Sequence, residues 1–291
     1  MRIVRITKEL QELSDQEREL GRKIALVPTM GALHSGHLSL VELGKQYADS
    51  LWVSIFVNPT QFGPTEDFDS YPRTWEADVA ACEAVGVDVI FAPTRDQLYP
   101  DSAQTWVDVA DLSQNAPGGS RVGHFRGVTT VVSKLFIAAK PHFAIFGEKD
   151  FQQLTIVKRM VLDLGFDLEV VAGATVREED GLALSSRNSR LSVDSRIQAG
   201  VVPAALEAVE GKILKGERSK VNLLETARHE IEAAPLASIE YIKFCDPGTL
   251  SEVSNKLSGQ VLVSVAISFP AGDPSGEPVR LIDNRVLNCT E

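Results

Sequence analysis

Two histidines flank a serine and a glycine in the segment 28–37, which reads Pro-Thr-Met-Gly-Ala-Leu-His-Ser-Gly-His. The apolar residues 24–27 precede it and a stretch with helical spacing follows it, so the order is strand, glycine-containing loop, helix. The first N–H groups of such a helix favour phosphate, Gly36 lets backbone approach a ligand, and His34 and His37 supply imidazole donors. The alternatives are a pair of metal ligands or a chance local pattern, but a metal site needs a third ligand, and no Cys/His cluster in the sequence provides one.

A second polar segment, 147–153, directly follows the apolar residues 143–146 and reads Gly-Glu-Lys-Asp-Phe-Gln-Gln. Lys149 could neutralise phosphate, Asp150 could accept a hydrogen bond from a ribose hydroxyl, and Gln153 could orient a polar substrate. The alternative is purely structural, because Asp is a preferred helix N-cap and a solvated lysine is ordinary.

Two more segments have side chains that suit anions or polar substrates. Residues 181–190 contain two serines followed by Arg187, whose guanidinium can make bidentate contacts with phosphate. Residues 58–63 follow the apolar residues 51–57 and contain Gln61, an amide that can bind a carboxylate or a hydroxyl. Taken singly, each segment is explained as well or better by a plain turn.

Three weaker features complete the candidate site. Asp78 lies one helical turn after Thr74 and could contact Mg²⁺, although a solvated acid on a helix is the plainer interpretation. Residues 121–127 precede a predicted helix and could close one side of a pocket, but His124 among them could equally be a surface histidine. Residues 71–74, which read Tyr-Pro-Arg-Thr, could simply set the entry to a helix.

A fold must bring these segments together. Short apolar runs rich in β-branched residues are typical of strands buried on both faces of a parallel sheet, and they occur at residues 24–27, 51–57, 87–91, 143–146 and 168–171. Helical stretches lie between them, at 74–85 (with Thr74 as N-cap and Gly86 as terminator), 127–139 and 151–164. This alternation predicts an α/β fold: a doubly wound parallel, Rossmann-like nucleotide-binding domain over residues 1–176, whose strand ends gather at one crevice.

Beyond Arg177 the alternation of strand-like and helical segments ends. Two helical stretches, 194–214 and 221–233, are followed by strand-like runs at 239–244, 260–269 and 279–287. Helices followed by consecutive strands predict a smaller α+β domain over residues 177–291 with an antiparallel sheet. The run Ser-Ser-Arg-Asn lies near the start of that domain, and a turn-rich connection at 270–278 joins its last two strands.

Composition limits the classes of function. The chain has 291 residues, a formal net charge of −11 and a pI near 5.0, and such an acidic protein is a poor partner for nucleic acid. The longest apolar stretch, near 261–269, is about half the roughly 20 residues that a membrane span needs, and the N-terminus lacks the apolar core of a signal peptide. Three widely spaced cysteines without a C-x-x-C pair fit a reducing cytoplasm.

Taken together and in this order, the motifs resemble those of the pantoate–β-alanine ligase family, which belongs to the H-x-G-H nucleotidyltransferases. The resemblance covers nearly the whole chain, and its specific marks are residues 28–37, 54–63, 147–153, 180–188 and 280–284. It implies that ATP and (R)-pantoate give pantoyl adenylate and pyrophosphate. β-Alanine then attacks the adenylate, which releases pantothenate and AMP.

The resemblance also implies roles for residues. ATP would contact Met30, Gly31, Ala32, Leu33, His34, Ser35, Gly36, His37, Gly147, Glu148, Lys149, Asp150, Val176, Leu184, Ser185, Ser186 and Arg187. Pantoate would be held by Gln61 and Gln153 together with Asn58, and Gln61 would also lie near β-alanine. Mg²⁺ on the ATP phosphates would meet Asp78, and the family implies a homodimer.

His37 matches the residue usually given as the family's catalytic proton donor, yet the chemistry requires little acid–base work. A pantoate carboxylate is already a nucleophile at neutral pH, and magnesium-bound pyrophosphate is a good leaving group. Alignment and neutralisation of charge on the α-phosphate should therefore supply most of the catalysis. We interpret six side chains as an electrostatic clamp on the phosphates, namely His34, His37, Lys149, Ser185, Ser186 and Arg187.

The sequence also departs from the family pattern in places. Ile137 and His142 stand where the family often has Asn and Asp, Ala77 stands where some relatives have a second acid, and the connection 270–278 looks longer than usual. None of these departures touches the main motifs. The nearest rival function is a related nucleotidyltransferase that acts on a different acid or a phosphate ester. A non-catalytic nucleotide-binding module is a further alternative, which retention of the clamp residues opposes.

Overall fold

A six-stranded parallel sheet organises the first part of the chain in the computed structural model, which describes residues 1–63, 68–115, 123–273 and 276–290. Its strands are β1 Arg2–Val4, β2 Ile24–Thr29, β3 Ser50–Ile55, β4 Val89–Phe91, β5 Phe143–Gly147 and β6 Glu169–Gly173. They lie in the order β1-β4-β3-β2-β5-β6. The strands β2, β3 and β4 are almost entirely buried, as continuous apolar runs require, and the predicted doubly wound parallel fold is confirmed.

The strand order creates a switch point next to β2. The chain runs from β2 to β3 and β4 on one side, and then returns to β5 on the other side. The pairs Ala25–Phe143 and Leu26–Ala144 join β2 to β5 in parallel. The carboxyl ends of both strands are therefore neighbours, and ligands of doubly wound sheets bind at such a point.

The helices of this part of the chain are α1 Thr7–Glu19, α2 Ser35–Gly44, α3 Trp75–Ala84, α4 Arg95–Leu98, α5 Ala110–Asn115, α6 His124–Ala139 and α7 Phe151–Leu164. Most of α6 is buried, including Thr129, Thr130 and Ser133, and its apolar residues pack into the core of the first unit. It begins three residues before the predicted start at 127. Ser14 of α1 donates a hydrogen bond to the carbonyl of Ala139 at 2.7 Å, which ties α1 to the end of α6.

The sequence did not predict β1 or α1, and each omission has a physical reason. The strand β1 has three residues, of which only Val4 is buried, so it shows no apolar run. The helix α1 is mostly charged or polar, and its buried positions are limited to Leu10 and Ser14. Both elements are stabilised by packing against the sheet and α6 rather than by a strong local pattern.

The second part of the chain begins with three helices, α8 Val193–Gln198, α9 Val201–Leu214 and α10 Lys220–Glu232. The prediction of a single helix over 194–214 was wrong, because the structure divides this stretch into α8 and α9. Pro203 has no N–H to donate to the carbonyl of Ala199, and the N–H of Val202 takes that carbonyl at 3.0 Å instead. The regular hydrogen-bond ladder therefore shifts at this point.

Three antiparallel strands follow, in the order β7-β8-β9, with bounds β7 Ser238–Cys245, β8 Gln260–Phe269 and β9 Val279–Asn288. The predicted antiparallel sheet is confirmed. The middle strand β8 is buried along nearly its whole length, and α9 and α10 contribute to the same apolar core. Two residues of the predicted connection 270–278, at positions 274 and 275, lie outside the described residues.

The described residues form two compact units that alternate along the chain. The first unit spans 1–113, 123–148 and 153–174, and the second spans 114–115, Lys149–Gln152 and 175–290. The domain boundary between residues 176 and 177 stays a prediction. In the ranges that the structure describes, no helix combines the length and apolar character needed to cross a membrane.

Candidate active site

The loop after β2 passes through two consecutive residues with left-handed backbone, Gly31 at φ 81° and Ala32 at φ 51°. This conformation is ordinary for glycine but uncommon for alanine, so surrounding contacts must hold it. Thr29 Oγ1 accepts the Gly31 N–H at 3.2 Å. The Asp78 carboxylate accepts the N–H groups of Ala32 at 3.0 Å and Leu33 at 2.7 Å. Acceptors within the protein therefore fix the loop ahead of the histidines.

His34 and His37 cap the helix α2 at its first turn. The Gly36 N–H donates to His34 Nδ1 at 3.1 Å, and the His34 N–H donates to His37 Nδ1 at 3.4 Å. The centroids of the two rings lie 4.1 Å apart. Because each Nδ1 accepts from a backbone N–H, each neutral ring carries its hydrogen on Nε2. The two rings are thus held in the tautomer that donates from Nε2.

We expected the N–H groups at the start of α2 to be available to a ligand, but two of them donate to acceptors within the protein. The Gly36 N–H donates to the His34 ring, and the His37 N–H donates to the His34 carbonyl at 2.8 Å. The cause is the N-cap, since His34 accepts here as Ser or Asp does at other helices. These two N–H groups are therefore already bonded within the protein, and the imidazole Nε2 atoms are among the donors left for an anion at this loop.

The turn after β3 places Gln61 close to the H-x-G-H loop. Asn58 is buried and builds this turn, because its amide nitrogen donates to Gln61 Oε1 and to the Gly127 carbonyl, both at 3.1 Å. Gln61 Nε2 in turn contacts Met30 Sδ at 3.1 Å. The structure thus brings Asn58, Gln61 and Met30 together, and it gives Asn58 a structural task that the sequence did not reveal.

His124 also belongs to this region, although residues 121 and 122 of the segment 121–127 lie outside the described residues. His124 Nδ1 lies 2.7 Å from the carbonyl oxygen of Gln61, so the ring is protonated on Nδ1 when it donates this hydrogen bond. His124 is partly buried and begins α6. It therefore supports the turn that carries Gln61 and is more than a surface histidine.

Replacing Gly127 by alanine is expected to lower kcat/KM for pantoate, the acid that the resemblance assigns to Gln61, by about 10²-fold, the scale of a misplacement near 1 Å. A Cβ at Gly127 would lie 2.3 Å from the Thr60 carbonyl oxygen and 2.7 Å from the Gln61 nitrogen. The turn must move to admit it, and Gln61 moves with the turn. Steady-state kinetics with varied pantoate measure the change.

Gly211→Ala is the matched control for this substitution. Gly211 lies inside α9, and nothing lies within 4 Å of a Cβ built there. We expect G211A to keep wild-type kinetics and to gain about 0.5–1 kcal/mol of stability from the loss of glycine in a helix. Wild-type kcat/KM for pantoate in G127A would contradict the role of this close contact.

The carboxyl end of β5 leads through a short 3-10 turn, Glu148–Asp150, into α7. Gly147 ends β5, beside the carboxyl end of β2 at the switch point of the sheet. Asp150 is exposed and directly precedes α7, and Gln153 is half-buried in the first turn of α7. The contact of Gln153 with pantoate stays a prediction.

Lys149 belongs to the second unit, where its backbone is tied to β9. Asn284 Nδ2 donates to the Lys149 carbonyl at 2.8 Å. Lys149 Nζ lies 4.0 Å from Asp150 Oδ2, and its side chain is 20% exposed, so the ammonium is within reach of solvent and ligands. The segment 280–284 was predicted only as a mark of the family, and within it Asn284 holds the backbone of Lys149.

A buried ion pair lies next to Asn284 on the same strand. The side chain of Asp283 is 0% exposed, and its two oxygens meet Arg177 Nη1 at 2.6 Å and Nη2 at 3.0 Å. This bidentate bond raises the pKa of the Arg177 guanidinium. Arg177 Nη1 also donates to the Gly181 carbonyl at 2.9 Å, so the pair anchors the start of the loop with the two serines.

The loop over residues 184–188 is held by polar contacts at both ends. The Leu184 N–H donates to the Val176 carbonyl at 3.0 Å. Asn188 Nδ2 donates to Glu178 Oε1 at 2.7 Å, and Glu178 also pairs with Arg196 at 2.6 Å. Hydrogen bonding to the same arginine lowers the pKa of a second carboxyl, that of Asp180.

Ser185 supports the conformation of Arg187 within this loop. The Arg187 N–H donates to Ser185 Oγ at 3.3 Å, a contact typical of serine turns. Ser185, Ser186 and Arg187 are all half-buried. Their contacts with phosphate stay predictions, but the hydrogen bond from the Arg187 N–H to Ser185 fixes the backbone of the loop.

Each unit thus gathers a distinct set of the residues predicted from the sequence. The first unit brings together the H-x-G-H loop, Asn58, Gln61 and Asp78. The second unit contains Lys149, Asp150, Val176 and residues 184–187. Sequence reasoning did not assign supporting roles to a further set of residues whose partners are distant along the chain: Gly127, Arg177, Asp283 and Asn284.

Comparison with known proteins identifies the family. The sequence profile of the pantoate-beta-alanine ligase family matches residues 2–286. Pantothenate synthetase of Geobacter sulfurreducens is 47% identical over 287 residues, which cover 99% of each chain. Pantothenate synthetase of Chloroherpeton thalassium is 46% identical over 284 residues, which cover 98% of each chain.

Solved structures agree with the sequence relatives. The crystal structure of pantothenate synthetase from Thermus thermophilus matches with a TM-score of 0.89 and 42% identity, and covers 100% of both chains. Pantoate-beta-alanine ligase from Francisella tularensis, in complex with beta-gamma ATP and beta-alanine, matches with a TM-score of 0.78 and 31% identity over 98% of this chain and 97% of that one. Together with the H-x-G-H loop at the switch point, these matches show that the chain belongs to the pantoate–β-alanine ligase family and is a ligase that joins pantoate to β-alanine.

Proposed function

We propose that ATP is the co-substrate and that the reaction passes through pantoyl adenylate. The observation that carries this proposal is the pair of neighbouring strand ends at the switch point, where β2 leads into the H-x-G-H loop and β5 leads into Gly147. The neutral histidines would present Nε2–H donors to phosphate oxygens. A structure of a relative in complex with an ATP compound and β-alanine supports the same substrates.

In the first step, a pantoate carboxylate oxygen attacks the α-phosphorus of ATP, and the bond to the bridging oxygen of pyrophosphate breaks. Charge accumulates on the oxygens of the α-phosphate and of the leaving pyrophosphate. Lys149 and Arg187 are proposed to stabilise that charge as cations, and His34, His37, Ser185 and Ser186 as hydrogen-bond donors. Their contribution is electrostatic, and no side chain needs to remove a proton from pantoate, which is already ionised.

In the second step, the amine of β-alanine attacks the acyl carbon of pantoyl adenylate and AMP leaves. The amine loses a proton as the amide forms, and AMP leaves as a phosphate anion. Gln61, Gln153 and Asn58 are proposed to hold pantoate in place for both steps. Gln61 would act directly, while Asn58, which is buried and bonded to Gln61, would act by fixing the turn.

Mg²⁺ is expected to accompany the ATP phosphates, but Asp78 does not fit the role of its ligand. Both oxygens of that carboxylate already accept backbone N–H groups, and only 2% of the residue is exposed. Among the residues that the structure describes, no three His, Cys, Asp or Glu side chains cluster as a metal site requires. We therefore assign no protein ligand to the metal and derive no step through it.

Exchange of labelled pyrophosphate into ATP tests the proposed first step. Exchange requires reversible formation of the adenylate, so we expect it with pantoate present and not with ATP alone. The control is a hydroxy acid of similar size that lacks the geminal dimethyl group. No exchange with pantoate, or equal exchange with the control acid, would contradict the proposal.

We also propose that the protein is a cytoplasmic homodimer. Cys82, Cys245 and Cys289 are all buried and reduced, which suits a compartment without disulfide formation. Burial raises the pKa of the Cys82 and Cys245 thiols to about 11, which disfavours their reactive thiolate form. Sedimentation of the purified protein would measure the oligomeric state.

A further inference from the structure

We infer that Asp78 is a positioning residue that sets the backbone of the H-x-G-H loop; this inference rests on the phosphate role proposed above for the two histidines. Asp78 lies in the first turn of α3, where a carboxylate interacts favourably with the helix dipole. Only 2% of the residue is exposed. A carboxylate removed from solvent to this extent needs several donors, and the loop provides them.

The donors to Asp78 come from the loop and from its own helix. Oδ2 accepts the N–H of Ala32 at 3.0 Å, and Oδ1 accepts the N–H of Leu33 at 2.7 Å. Thr74 Oγ1 donates to Oδ1 at 3.1 Å. Hydrogen bonds to an ionised acceptor are stronger than neutral ones, so this carboxylate is the dominant anchor of residues 32 and 33.

The loop needs such an anchor because its backbone is unfavourable by itself. Ala32 has φ 51°, a left-handed conformation that a residue with a Cβ rarely adopts. Strained conformations persist where the surrounding structure over-determines them. Leu33 directly precedes His34, whose ring caps α2. By fixing the backbone of Leu33, Asp78 therefore also fixes the position of His34.

Gly31 shows how closely the carboxylate approaches the loop. Its φ of 81° is left-handed, and a Cβ built there would lie 2.9 Å from Asp78 Oδ2 and 3.2 Å from Ile55 Cγ2. Glycine is therefore required at this position both for its backbone angle and for the space that Asp78 occupies. The conformation at Gly31, just after β2, and the position of Asp78, at the start of α3, therefore depend on each other.

A positioning role and a metal-ligand role make different predictions for Asp78→Asn. The amide keeps one acceptor oxygen but turns an NH₂ group toward a backbone N–H, so the loop loses part of its anchor with or without metal. We expect D78N to weaken ATP binding about tenfold in EDTA, where no Mg²⁺ is present. Pantoate-dependent pyrophosphate exchange with Mg²⁺ should fall about 10²-fold.

Asp88→Asn is the matched control. Asp88 also accepts a backbone N–H through its carboxylate, that of Leu51 at 2.8 Å, but it does so at the amino end of β3, away from the strand ends that carry the site. D88N should therefore keep wild-type ATP affinity in EDTA and wild-type exchange.

Thr74→Val removes one donor to Asp78 and leaves the carboxylate. We expect it to lower the ATP affinity in EDTA and the exchange rate, as D78N does, but by less. It also keeps the inference testable if D78N does not fold.

The outcomes separate this inference from the proposed function. Weaker ATP binding by D78N in EDTA, with D88N unchanged, supports the positioning role. Unchanged binding in EDTA together with weaker binding in Mg²⁺ would identify a metal ligand and overturn the inference, as would wild-type behaviour of D78N or of T74V. If the wild-type protein itself shows no pantoate-dependent exchange, the proposed function fails, whereas the binding measurements in EDTA still decide the role of Asp78.

Discussion

Replacing Lys149 by alanine is expected to slow pantoate-dependent exchange of pyrophosphate into ATP by about 10²-fold or more. The side chain is 20% exposed and its ammonium lies 4.0 Å from a carboxylate oxygen of Asp150, so the cation is accessible and only loosely paired. The Asn284 amide holds the Lys149 backbone from β9. A cation placed on a fixed backbone stabilises developing phosphate charge without the cost of reorganisation. Initial rates at saturating ATP and pantoate measure the loss.

Lys158→Ala is the control for this prediction, since Lys158 is an exposed lysine on α7. It removes the same charge from the protein, so it corrects for any effect of net charge on ATP affinity. We expect K158A to exchange pyrophosphate at the wild-type rate. A K149A rate within about threefold of that of K158A, at saturating substrates, would remove Lys149 from the clamp.

Replacing Asp283 by alanine is expected to destabilise the second unit by about 3–5 kcal/mol, because it leaves Arg177 without its buried partner. The Asp283 side chain is 0% exposed and bonds both terminal nitrogens of that guanidinium. The loss includes the desolvation cost of the remaining charge and the release of the loop that Arg177 anchors. Hydrogen exchange of the amides in β8 and β9 would report the change within this unit.

Glu232→Ala provides the comparison for the buried pair. Glu232 and Arg228 form an exposed i,i+4 pair on α10, 3.6 Å apart, with side chains 61% and 50% exposed. Pairs of this kind contribute about 0.3–0.5 kcal/mol, because water screens both charges. Equal protection of β8 and β9 in D283A and E232A would show that the Arg177–Asp283 pair does not stabilise the sheet.

Much of the fold could be predicted because its determinants are local. The buried parallel strands are continuous apolar runs, and β8 matches its predicted bounds, 260–269. The exceptions depend on contacts that the local pattern does not contain. The strand β1 is too short to show a pattern, and the break between α8 and α9 depends on one proline inside an otherwise helical stretch.

The candidate site was predicted as a set of segments, whereas the contacts within it were not. The histidines were expected to join backbone N–H groups in binding phosphate, but the N–H groups of Gly36 and His37 donate to the ring and the carbonyl of His34 in the same turn. Asp78 was placed with Mg²⁺ because its partners, Ala32 and Leu33, lie more than forty positions earlier in the chain. Hydrogen bonds between distant residues leave no periodic signal in a sequence.

The place of β1 at the edge of the first sheet has a consequence for the order of folding. Arg2 pairs with Val89, so β1 can pair with the sheet only when β4 is in place. The strands β2 and β3 pair with each other across the crossover that contains α2, and β4 pairs with β3. Pairings that close long loops form slowly, because the entropy of the closed loop is lost before its contacts are gained. We therefore expect the amino-terminal strand to complete the sheet rather than to nucleate it.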